Sequence, residues 1–141
     1  MAWRRIAAGG LVSYPLGHDA RGQLIYTPDG RMAVQITAGS RPEMKTTDPL
    51  AGDVTARADA YSGYLAYFGS YVVQDGSVTH DIDGSLFPGW SGEKQVRPFS
   101  VTGDELVLRT PPMQVADGTT VVNELSWARA GCSTPPAPGR P

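Results

Sequence analysis

Cysteine is nearly absent: Cys132 is the only one in 141 residues. That excludes an intrachain disulfide and any cysteine-built metal site. Histidine is scarce too. His18 and His80 lie far apart with no metal-ligand spacing, so no metal is expected. Lysine is down to two residues against ten arginines, charged residues make up only 18%, and the net charge is −2 with no basic block. A nucleic-acid footprint needs clustered Lys and Arg, so that class is excluded. No segment approaches the ~20 apolar residues of a transmembrane helix. The first ten residues, MAWRRIAAGG, hold two arginines but no apolar run of signal-peptide length. The expectation is a soluble, cytoplasmic protein that needs no membrane. No Ser-His-Asp order, Walker loop or dinucleotide fingerprint is present, and no cofactor is expected.

What the chain does have is a globular balance, with 40% hydrophobic residues and a length that suits one domain with its own core. Residues 2–7 and 11–14 read as short strands, broken by Gly9 and Gly10. Residues 22–27 and 31–37 flank Pro28-Asp29-Gly30, which supplies the fixed φ and the positive-φ site of a tight hairpin. Met32, Val34 and Ile36 alternate with polar or small residues and mark the inner face; Leu24 and Tyr26 share a face on the first arm. Residues 38–52 read as a loop over the surface or a cavity mouth.

The densest aromatics lie in residues 61–97, a stretch expected to plug or close a sheet. Residues 54–68 carry a helical period, with Val54, Ala58, Tyr61, Leu65 and Phe68 at spacings of three and four. Asp53 or Thr55 can cap this helix, and Gly63 falls inside it. Residues 69–74 and 77–83 form a second hairpin across Asp75-Gly76, with Val78, His80 and Ile82 on its apolar face. A loop, 84–93, holds Trp90. Residues 94–101 resume strand, with Gln95, Arg97 and Phe99 on one face and Pro98 demanding an edge or a bulge. Leu106 and Leu108 face inward in the next strand; 119–129 is the last long strand, with Leu125 and Trp127 on one face. Residues 131–141 contain four prolines and read as a disordered tail.

About eight short strands, regular turn signals and one short helix predict an all-β, antiparallel up-and-down barrel over residues 1–130. A barrel of that size is filled by side chains or holds one small ligand in a central cavity. The segments SYPLGHDARGQLIYTPDGRMAVQI (13–36), DPLAG (48–52), YSGYLAYFGSYVV (61–73), VTHDIDGSLFPGWSG (78–92) and QVRPF (95–99), with Glu124 and Trp127 in the closing strand, resemble the bacterial and fungal lipocalin-like domain family. The resemblance departs at the start: members open with a Gly-Thr-Trp-type strand and a second strand, where here only MAWRRIAAGG precedes LVSYPLG. Trp3 matches that tryptophan, and the shortened hairpin leaves an edge through which a homodimer can form. The resemblance implies a small β-barrel with a cavity, and placement near secondary-metabolite biosynthesis. It implies no catalytic motif.

Two functions follow from that cavity. One is binding of a hydrophobic small molecule, a polyketide-like or terpenoid intermediate. The other is a cofactor-independent cyclase or isomerase. A filled interior would make it a structural protein instead. For catalysis His80 is a general acid/base or a satisfied core histidine. Arg97 binds an enolate or carboxylate oxygen, or pairs with Glu124. Tyr64 is a proton-moving hydroxyl or aromatic core packing. Tyr61, Tyr67 and Tyr71 are ligand-orienting groups or core packing, and so is Tyr26. Met32, Val34, Phe99, Leu106 and Trp127 line the ligand site, with Trp90 a lid or a loop anchor. His18 reads as exposed, and Asp81 and Asp83 as a solvated outer pair.

Overall fold

A computed structural model describes residues 1–131. The expectation for the proline-rich tail falls almost wholly on residues outside that range. The described chain is an antiparallel meander: β1 (Ala2–Ala7), β2 (Val12–Ser13), β3 (Arg21–Tyr26), β4 (Arg31–Thr37), α1 (Val54–Ser62), β5 (Tyr64–Gln74), β6 (Ser77–Ser85), β7 (Lys94–Thr102), β8 (Glu105–Arg109), β9 (Met113–Gln114) and β10 (Thr120–Ala128). A 3-10 turn, Pro88–Trp90, lies between β6 and β7. The strands run in the order β2-β1-β10-β8-β7-β6-β5-β4-β3, with β9 added beside β10.

The turn chemistry behaves as the residues dictate. Asp75 and Gly76 both take positive φ, 50° and 74°, the pair that a two-residue hairpin with native twist requires. On β4, Met32, Val34 and Ile36 are buried while Arg31 and Gln35 are exposed, so the period of two sets the inner face. At the middle of β5 the pairing with β6 slips between Phe68 and Gly69. Glycine is required there: a Cβ on Gly69 would sit 1.9 Å from the Asp81 carbonyl oxygen.

Three expectations change. The helix ends at Ser62 and Gly63 is its C-cap, donating its amide to the Asp59 carbonyl, so residues 64–68 are strand. Asp53 is the N-cap, accepting from the Ala56 amide at 3.0 Å. The helix buries none of its residues. A second change concerns Pro98, which is not at a sheet edge. The ladder to β6 ends at Ser77↔Pro98 and the ladder to β8 begins at Phe99↔Leu108, so the missing amide falls where one partner hands over to the next. Third, two residues inside the expected loop 111–118, Met113 and Gln114, pair with β10.

The two ends of the sheet are not joined: among the described residues β3 pairs only with β4, and β2 only with β1. Both ends nevertheless pack on one core. Leu24 and Tyr26 from β3, and Trp3, Leu125 and Trp127 from β1 and β10, surround the same cluster of Met32, Val34, Ile36, Val78, Ile82 and Leu108. The result is an open barrel. On its outer face Glu124 lies between Arg4 and Arg109, its direct neighbours in the adjacent strands. No helix among the described residues is long and apolar enough to cross a membrane.

Candidate functional site

The inward period of β6 places His80 between Val78 and Ile82, and its side chain is 0% exposed. Each ring nitrogen meets a tyrosine hydroxyl. Tyr26 on β3 lies 2.6 Å from Nε2, and Tyr67 on β5 lies 3.0 Å from Nδ1. Burial first, and the positive charge of Arg97 second, push the imidazole down to about 4, so it is neutral at physiological pH. Burial raises both phenols as well; for Tyr67 the Arg97 guanidinium pulls the other way.

Arg97 reaches this group from β7, where it lies opposite Val78 and one inward step from Gln95. Its guanidinium hydrogen-bonds the Gln95 side chain and the Val96 carbonyl, and its charge acts on the Tyr67 hydroxyl. It makes no ion pair with Glu124, contrary to one of the two expectations for it. Glu124 is held by Arg4 and Arg109 on the other face of β10, because its neighbours in register are those two residues. Among the described residues no carboxylate neutralises Arg97.

Two adjoining depressions open next to this polar row. A cavity of about 210 Å³ is lined by Tyr26, Tyr71, Val73, Val78, Phe99, Leu106 and Leu108. A wider space of about 530 Å³ at the seam between β3 and β10 shares Tyr26 and Leu106 and adds Leu24 and Trp127. Tyr71 packs on Tyr26 with 4.6 Å between ring centroids and spends its hydroxyl on the Thr27 carbonyl. Trp127 is 6% exposed, and its indole N–H has no acceptor among the described residues. At the far end of the row Trp90 and Arg97 line a third depression of about 270 Å³. Trp90 packs edge-on against Tyr67 and Phe87 and so anchors its loop to the core.

The structure thus gathers Tyr26, Tyr71, Phe99, Leu106 and Trp127 around the two adjoining spaces, and puts Met32 and Val34 in the packed core. His80 lies behind Tyr26, enclosed, and lines none of these spaces. Tyr64 and Tyr61 lie elsewhere. Tyr64 is on the outer face of β5, bonded to Gln35 and covered by Arg41, because strand parity sends Leu65, Tyr67 and Tyr71 inward. Tyr61, on the exposed helix, is 44% exposed. Val78 and Leu108 join the wall unforeseen as ligand contacts, although their inward faces are legible. Tyr67, expected as a ligand-orienting group or core packing, is buried in the core against His80. His18 is exposed, and Asp81 and Asp83 pair with Lys94 and Arg31 on the outside.

An antiparallel meander curled around an apolar core, with depressions opening beside Tyr26, is the architecture of the small barrels that hold ligands. Its family is the lipocalin-like domain family, to which this chain belongs: the sequence model described as "Lipocalin-like domain" matches residues 1–130. The chain is also similar to the 4′-hydroxy-3′-methoxypropiophenone carrier protein of Aspergillus oryzae. The two are 29% identical over 106 residues, which cover 70% of this chain and 96% of that protein.

Proposed function

We propose that this protein is a cytoplasmic carrier of a small hydrophobic intermediate of secondary metabolism, an aromatic ketone of the propiophenone kind. The observation that carries this reading is the 210 Å³ cavity, walled by Val, Leu, Phe and Tyr side chains. The volume is below the ~300–1,000 Å³ of drug-sized sites and suits one ring with a short chain. The similarity to a carrier of such a compound supports the same reading. A single cysteine is in keeping with a reducing compartment. Tyr26, Tyr71, Phe99 and Leu106 are the proposed contacts, with Trp127 at the seam. The cyclase or isomerase reading has less behind it, because His80 is screened from the cavity by Tyr26 and has a neutral ring bonded at both nitrogens.

The test is titration of the protein with 4′-hydroxy-3′-methoxypropiophenone by calorimetry, followed by mass spectrometry of the recovered compound. The expected result is saturable one-to-one binding, recovery of unchanged ketone, and loss of binding in Leu106→Trp, which fills the cavity. Absence of saturable binding, or undiminished binding by Leu106→Trp, overturns the assignment. Conversion of the ketone would replace the carrier by an enzyme.

A further inference from the structure

Arg97 stands where β7 changes partners. From Lys94 to Pro98 that strand is laddered to β6, and its pairing with β8 begins at Phe99↔Leu108. The sequence gives a reason. Pro98 on β7, and Pro111 and Pro112 beyond β8, carry no amide with which to extend the β7–β8 ladder. The chain after β8 turns to β10 instead: the Thr110 amide donates to the Asn123 carbonyl at 2.9 Å, and Met113 pairs with Val121. The two strands splay, and the 270 Å³ depression lies between them.

The residues that line this depression include two cations and no carboxylate. Lys94 is held by Asp81, at 3.3 Å. Arg97 has no ion pair among the described residues. Its guanidinium donates to the Gln95 side chain and to the Val96 carbonyl, at 3.3 Å for the latter. Both acceptors are neutral, and they use two of the five N–H groups that a guanidinium carries. Both also line the depression, which puts the guanidinium at its wall. Burial pushes this guanidinium below its ordinary pKa. A cation taken out of water with no anion beside it costs stability. Next to the charge, Trp90, Pro111, Pro112 and Met113 supply apolar wall. An inorganic anion would use the charge alone; an organic carboxylate uses both parts. The depression shares no lining residue with the two spaces around Tyr26 and Leu106.

We propose that this splayed corner is a second binding site, for a small organic acid, in which the Arg97 guanidinium takes the carboxylate and Trp90, Pro111 and Met113 cover the apolar body. The site is separate from the cavity proposed for the ketone and does not rest on it.

Two measurements test it, both with benzoate as the probe at constant ionic strength. The first is ¹H–¹⁵N NMR of the arginine Nε–H groups of wild-type protein, with Arg97→Lys to assign the Arg97 signal. Benzoate should shift that signal saturably. Benzamide, of the same shape without the charge, should bind at least about tenfold more weakly, the size of a hydrogen bond to a charged group. Arg97→Lys, which keeps the charge and loses the planar fork, should bind benzoate several-fold more weakly than wild type. No saturable shift at Arg97, or equal binding of benzamide, overturns the proposal. Sulfate binding as tightly as benzoate overturns the assignment to an organic acid. The second measurement is thermal melting. Benzoate should raise the Tm of wild type by mass action and leave that of Arg97→Met unchanged. Without benzoate, Arg97→Met should melt no lower than wild type, because an apolar side chain replaces an uncompensated charge. A variant that melts lower, or does not fold, would show that the guanidinium serves the fold and would overturn the proposal.

Discussion

The Tyr26 hydroxyl and His80 Nε2 meet 2.6 Å apart inside the barrel, from strands whose residues are 54 positions apart in sequence. Neither strand makes this contact possible alone. β3 reaches β6 only across β4 and β5, and the curl of the sheet brings the two side chains face to face. The pairing leaves the buried histidine neutral and satisfied at both ring nitrogens.

A pH dependence of stability follows. The folded pKa of His80 is about 4 against an ordinary 6.5. The unfolded chain therefore binds more protons between these values, and stability falls as pH falls through that window. The contribution is complete above pH 6.5 and is lost on approach to pH 4. Between about pH 7.5 and 5, urea denaturation should show a loss of roughly 2 kcal/mol. His80→Gln, which cannot titrate, should flatten that stretch of the profile. A wild-type curve as flat as the variant's would contradict the burial of a neutral ring.

Strand parity in β5 is tested by two tyrosines three residues apart. Tyr64→Phe removes a surface hydrogen bond to Gln35 and should change stability by no more than about 0.5 kcal/mol, without affecting ligand binding. Tyr67→Phe leaves His80 Nδ1 without a partner in the core and should cost about 1–3 kcal/mol. Equilibrium unfolding of both variants decides between the strand seen here and a helix through residues 64–68, in which Tyr64 would be the inward group.

Glu124 carries the ion cluster that ties β1 and β8 to β10. Arg4 is the main cause that holds its carboxyl below the usual range, and Arg109 adds to the effect with a 3.0 Å hydrogen bond. A depressed folded pKa stabilises above the ordinary value of 4.5 and ceases to do so as pH falls through the folded value. Glu124→Gln should therefore be destabilising at neutral pH, by the ~1.5–3 kcal/mol of a hydrogen bond to a charged group, with a difference from wild type that shrinks as pH falls below the ordinary 4.5. Thermal melts at neutral and at acid pH check it. The window lies below that of His80, so the two effects separate.

Much of the fold was legible because short-range chemistry enforces it. Pro28-Asp29-Gly30 and Asp75-Gly76 can hardly do anything but turn, and the alternation of Met32, Val34 and Ile36 has one buried face to choose. Residues 64–68 misled for a definable reason. Tyr61, Leu65 and Phe68 happen to repeat at helical spacing, while the same segment carries a period of two through Leu65, Tyr67 and Tyr71. Pairing with β4 and β6 on both sides gives the strand more hydrogen bonds and burial than a lone amphipathic turn could, so the second period wins. The inward faces of Phe99, Leu106 and Trp127 were legible in the same way, and with them part of the cavity wall.

The sequence by itself determined most of the strands, the hairpins, the inward histidine and the apolar inner faces, because each depends on residues a few positions apart. Only the tertiary structure decided which groups meet: that Tyr26 and Tyr67 clamp His80, that Arg97 bonds Gln95 while Glu124 takes Arg4 and Arg109, and that the two ends of the sheet share a core without pairing. Those contacts depend on register and curl summed over several strands. A one-residue slip in any ladder would turn a side chain to the opposite face, and no local pattern in the chain records that sum.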